Sequence, residues 1–109
     1  MAEMNLTQRA AEAWLLAQGH KVTFQRRRSP SFVTPSGEGF EPKLVRHNAV
    51  VFSASQLAAL RASFPTATLL LFAAGASEPE AVVAVEELAI PGYWRQYRLV
   101  LTDLSRRAA

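Results

Sequence analysis

Residues 29–45 read Ser29-Pro30-Ser31-Phe32-Val33-Thr34-Pro35-Ser36-Gly37-Glu38-Gly39-Phe40-Glu41-Pro42-Lys43-Leu44-Val45, and the rest of the chain takes its place around them. Thr34-Pro35-Ser36-Gly37 has Pro where a type I turn fixes φ and Gly where such turns close, so the chain should reverse here. A strand is expected at 31–34 and another at 39–46. Side chains alternate between faces along a strand, which puts Glu41 and Lys43 on one side and Phe40, Pro42 and Leu44 on the other. A carboxylate and an ammonium therefore share a surface. The plainest account of them is an exposed salt pair worth roughly 0–1 kcal/mol. Pro42 cannot donate to a ladder, so in an interior strand it predicts a bulge beside Glu41.

Upstream, residues 21–28 alternate Val22 and Phe24 inward against Lys21, Thr23 and Gln25 outward, and this third strand makes the group a meander. Asn5 with Gln8 is a capping box, and the following helix is expected to bury a face of Leu6, Ala10, Ala13, Trp14 and Ala17 before Gly19 ends it. Downstream, a loop and the apolar residues 50–52 lead to a second capping box, Ser53 with Gln56. Leu57, Leu60 and Phe64 form the stripe of that helix, and Pro65 stops it. Residues 67–73 are almost continuously apolar, as suits an interior strand covered on both faces and reached by a helical crossover. Between Ser77 and Ile90 two signals compete: Ser77 with Glu80 for a helix, Val82, Val83 and Val85 for a strand. A last strand is expected at 97–102, and residues 106–109 as a frayed end. The core order is α-β-β-β-α-β, an α/β arrangement.

A length of 109 residues with 50% hydrophobic content matches one domain, residues 1–109, with one core. The chain has no cysteine, which removes disulfides, thiolate catalysis and cysteine zinc sites. No secretory leader pattern is present, so a cytoplasmic location is the default expectation. The longest apolar run, 67–76, falls short of the roughly 20 residues that span a bilayer. His20 and His47 lack companions at ligand spacing, and no Gly-rich phosphate loop occurs. The charge is +3, with ten Arg but only two Lys, and this favours polyanionic partners. Arg26-Arg27-Arg28 leads toward the Ser31–Glu41 region, with Arg46 nearby; it reads either as a solvated strand end or as phosphate contacts, for which Arg26, Arg28, Arg46 and Lys43 are the candidates. Residues 93–98, Tyr-Trp-Arg-Gln-Tyr-Arg, fit either a stacking platform for single strands or the closure of a core or interface; the second is preferred.

Over residues 6–73 the order of elements, with Pro30-Ser31, Glu41-Pro42-Lys43 and Gln56, resembles the PD-(D/E)xK nuclease superfamily, which includes restriction endonucleases and archaeal Holliday-junction resolvases. The resemblance implies a restriction-endonuclease-like domain with a mixed central sheet. It implies Mg²⁺ or Mn²⁺ held by Glu41, with Lys43 stabilising charge on the phosphate and Gln56 positioning water or phosphate. Ser31 stands where the family has an acid, so Glu12 or Glu38 would have to supply the missing metal ligand. Two functions follow from the likeness. One is DNA binding, with or without metal-dependent phosphodiester cleavage. The other is an inactive nuclease fold kept as an interaction or structural module, as a homodimer or with a protein partner.

Overall fold

The structure, a computed structural model, describes residues 4–26, 28–63, 67–88 and 96–101. Helix α1 (Leu6–Ala17) opens with the expected box: Gln8 N donates to Asn5 Oδ1 at 2.7 Å and Asn5 N to Gln8 Oε1 at 2.9 Å. It closes as a Schellman motif. His20 N donates to Leu15 O and Gly19 N to Leu16 O, both at 3.0 Å, with Gly19 at φ 91°, a value that a side chain would resist.

The buried face of α1 is turned from the predicted one. Ala11 and Leu15 are fully buried, with Ala10 and Trp14 packed beside them, while Leu6 is 85% exposed and Ala13 and Ala17 face water. Two stripes compete for the sheet, and the one carrying Leu15 and part of Trp14 removes more apolar area than one made largely of alanine.

Strands β1 (Thr23–Phe24), β2 (Phe32–Val33) and β3 (Gly39–Leu44) form the antiparallel meander, with Phe24 opposite Phe32 and Phe32 opposite Phe40. Both outer strands are shorter than the alternation suggests. The turn between β2 and β3 forms as expected: Gly37 N donates to Thr34 O at 3.0 Å, and Glu38 N to Thr34 Oγ1 at 3.1 Å.

Residues 50–52, expected to follow a loop, lie instead within strand β4 (Ala49–Ser53). His47 and Asn48, at φ 52° and 60°, make a two-residue reversal closed by Arg46 N to Ala49 O at 2.9 Å and Ala49 N to Arg46 O at 3.1 Å. Positive φ at both central positions is the signature of the hairpin turn whose twist suits strands. The sequence signal is weak because no glycine marks it.

Helix α2 (Ala54–Ser63) follows, with Gln56 N bonded to Ser53 Oγ at 3.0 Å. Phe64 and Pro65 lie outside the described residues. Strand β5 (Thr68–Phe72) then pairs parallel with β3, and β6 (Ala81–Ala84) antiparallel with β5. The competition after Ser77 thus resolves to a strand, followed by a 3₁₀ turn at Val85–Glu87. Strand β7 (Gln96–Val100) pairs with β4 in a ribbon of its own rather than extending the main sheet.

The main sheet is mixed, in the order β1-β2-β3-β5-β6. One face carries Phe32, Phe40, Leu70 and Phe72 under α1; the other carries Leu69, Leu71 and Val83 under α2 and the β4–β7 ribbon, through Leu57, Leu60, Phe52 and Leu99. Strand β5 is thus buried on both faces, as its composition predicts. No described helix is long and apolar enough to cross a membrane.

Candidate functional site

Strand β3 owes its unusual character to one edge. Val45 N donates to Phe72 O at 2.8 Å, so odd-numbered residues direct backbone groups at β5 and even-numbered ones at β2. Pro42 is even. Its missing N–H therefore points away from β5, and the parallel register runs unbroken from Phe40 opposite Thr68 to Leu44 opposite Phe72. The bulge predicted beside Glu41 does not form, because no β5 bond is lost. On the other side the β2 pairing ends at Phe32–Phe40. Continued by two places, it would set Pro42 against Pro30, and neither has an N–H to give. The β2–β3 ladder ends here, with both prolines buried.

Glu41 and Lys43 share the face of Leu69 and Leu71, as alternation requires, but they are not an exposed salt pair. Glu41 is only 7% exposed, and its partner is Ser31. Ser31 N donates to Glu41 Oε2 at 2.7 Å, and Ser31 Oγ lies 3.1 Å from Oε1 and 3.0 Å from Oε2. Burial pushes the Glu41 carboxyl above its usual range; the two Ser31 contacts and the nearby Lys43 charge pull it part of the way back. Lys43 is half-buried, with Nζ 5.0 Å from the centroid of the Phe52 ring, a cation–π contact of about 0.5–1 kcal/mol.

The segment 29–31 is fastened along its length. Gln56 Nε2 donates to Ser29 Oγ at 3.1 Å, and Gln25 Nε2 to Pro30 O at 2.8 Å. The side chain of Gln56 thus reaches the strand segment and not back to Ser53, so only half of the second capping box carries over. Ser31, Glu41 and Gln56, distant in sequence, are gathered on this one segment, with Lys43 beside them.

Glu12 and Glu38 are not. Helix α1 packs on the Phe40 face of the sheet, opposite to Glu41, and Glu38 is exposed in the β2–β3 turn. Among the described residues no three His, Asp or Glu side chains are grouped to hold a metal ion. Divalent-metal chemistry asks for several oxygen ligands about one point. Among the described residues only one carboxylate, already bonded to Ser31, is at hand, so they do not fit Mg²⁺ or Mn²⁺.

The second half of β3 lines a groove of about 920 Å³, together with the first turn of α1 and residues of β4 and β7. Lys43, Arg46, His47 and Arg98 line it, and Glu41 is the only acid among the described lining residues. Arg26 and Arg28 are exposed in the β1–β2 connection, Arg28 directly before Ser29; Arg27 lies outside the described residues. Sequence reasoning missed Arg98. The pairing of Val51 with Arg98 brings it to the groove. A signal existed, since Arg98 closes the arginine–aromatic segment 93–98, whose residues 93–95 lie outside the described part of the chain. No family model, curated protein or solved structure matches this chain.

Proposed function

We propose that this chain binds the phosphate backbone of DNA in the groove along β3, on a nuclease-like fold, without metal-dependent cutting. One observation carries the reading: three basic side chains, Lys43, Arg46 and Arg98, line a groove in which the one carboxylate among the described residues is taken up by Ser31. A polyanion entering it displaces counterions from its own surface and meets little competing negative charge. Lys43 supplies a charge pre-positioned by Phe52, while Arg46 and Arg98 supply donors that can grip phosphate oxygens two at a time. Arg26 and Arg28 extend the positive surface beyond the groove. Phosphate contacts carry no sequence information of their own, so binding that rests on these cations should be sensitive to salt and only weakly to sequence.

The test is fluorescence anisotropy with labelled duplex DNA between about 50 and 200 mM salt, repeated with Arg46→Ala and Arg98→Ala. Each variant should bind more weakly, and the slope of log K against log salt should fall by about 0.9 per lost phosphate contact. No binding at low salt, or variants that bind like the parent, would remove the reading. Plasmid incubated with Mg²⁺ or Mn²⁺ covers the cutting question: nicking that vanishes in Lys43→Ala would show that the chain is an enzyme after all.

A further inference from the structure

The groove along β3 is not lined by charge alone. Two of the four large apolar side chains that stand exposed among the described residues, Leu6 at 85% and Val51 at 51%, line it, together with the half-buried Leu44. The fold fixes their positions. Leu6 opens α1, and Val51 pairs with Arg98 on the side of the β4–β7 ribbon opposite to Val50, Phe52 and Leu99, so an aliphatic and a guanidinium side chain lie next to each other there. His47 adds an exposed ring at the tip of its hairpin. Phosphate oxygens gain nothing from Leu6 and Val51, which are relieved of water only by a ligand with apolar surface of its own.

We propose that the groove takes a single strand of DNA in preference to a duplex, with phosphates on Lys43, Arg46 and Arg98 and unpaired bases against His47, Leu6 and Val51. This rests on the phosphate-backbone reading above and adds the form of the nucleic acid. Two arguments select the single strand. A duplex keeps the faces of its bases stacked inside and presents phosphate and sugar to the outside, whereas a single strand can turn a base face outward beside each phosphate. The mixture of cations with apolar and aromatic side chains in one groove matches the second pattern, and the planes of His47, Arg46 and Arg98 are shaped to receive flat bases. Capacity is the other argument. A volume of about 920 Å³ lies near the top of the roughly 300–1,000 Å³ of small-molecule sites, room for a few nucleotides of one strand and not for the cross-section of a double helix. A duplex can touch the exposed Arg46 and Arg98 from outside, which leaves Leu6 and Val51 uncovered.

Fluorescence anisotropy at low salt tests this with a labelled thymidine single strand and two probes of the same length: a duplex, and an abasic strand that keeps the sugar-phosphate backbone without the bases. The single strand should bind tighter than either by roughly fivefold or more, the effect of one well-packed base. Val51→Ser and His47→Asn should each weaken single-strand binding by roughly three- to tenfold and leave the duplex unchanged. Arg46→Ala should instead weaken all three probes and lower their salt slopes. Val51 and His47 are exposed, and Asn tolerates the φ of 52° at position 47, so circular dichroism should show both variants folded. Val51→Thr, which keeps the β-branch, takes the place of Val51→Ser if it does not. A duplex or abasic strand bound as tightly as the single strand would overturn the proposal and leave the phosphate-backbone reading standing. Preferential single-strand binding indifferent to both the Val51 and His47 variants would overturn it as well. No binding of any probe would remove both readings together.

Discussion

Strands β3 and β5 lie side by side and parallel in the middle of one sheet, yet they are built on opposite principles. Strand β5, Thr68-Leu69-Leu70-Leu71-Phe72, gives apolar side chains to both layers and is buried throughout its last four residues. Strand β3 gives Phe40 to the α1 layer, but on its other face sets Glu41 beside Leu69 and Lys43 beside Leu71. The lesson is about cost. A carboxylate in that position is tolerable only because Ser31 supplies an N–H and a hydroxyl to it, and the ammonium because Phe52 receives it. One strand makes the core and its neighbour makes the site, and the core-making strand holds the site-making strand in register.

The contrast can be broken at its stronger partner first. Leu71→Ala, next to Lys43, should cost about 2–5 kcal/mol, read from urea unfolding, because Leu71 is fully buried beneath α2 and the ribbon. A loss below 1 kcal/mol would mean that β5 is not the anchor described.

Ser31→Ala attacks the weaker partner and should cost about 1–3 kcal/mol by leaving the buried carboxylate short of a donor. The pH dependence sharpens it. The Glu41 carboxyl is held above its ordinary value of 4.5, so the folded protein binds this proton more tightly than the unfolded chain does. The stability that the protonated group contributes is complete below that ordinary value. It is lost as pH rises through the higher folded value. Relative to Glu41→Gln, the parent should therefore lose stability as pH is raised through that window, and equal slopes for the two proteins would contradict the assignment.

The smallest effect lies between the strands. Ser53→Ala removes the acceptor for Gln56 N at the start of α2 and should cost about 1 kcal/mol. Since the side chain of Gln56 is fastened to Ser29 and not to Ser53, thermal unfolding should move while the segment 29–31 keeps its place.

What the sequence makes legible follows the same division. Local chemistry is readable: the Asn5 box, the Gly19 stop, the Thr34–Gly37 turn and the apolar β5 each declare themselves within a few residues. The approach of Ser31 to Glu41 is a long-range event and comes from element order and resemblance. Three features stay hidden for physical reasons. The His47-Asn48 reversal lacks a glycine, so β4 is not recognised as one arm of a ribbon. The choice between two stripes on α1 depends on what lies beneath them. The direction of a single absent N–H on Pro42 decides between a bulge and a straight strand, and one sequence alone does not give it.

That absent N–H has a consequence for the life of the protein in a crowded solution. A strand whose ladder stops short on one side is normally an invitation to another chain, which can zip on through backbone bonds and seed aggregation. Where the β2 ladder stops, β3 offers Pro42, so an incoming strand would find a missing donor at that point of its would-be ladder. The same proline that leaves the side chains of β3 in place thus makes this stretch a poor template for misassembly through the main chain.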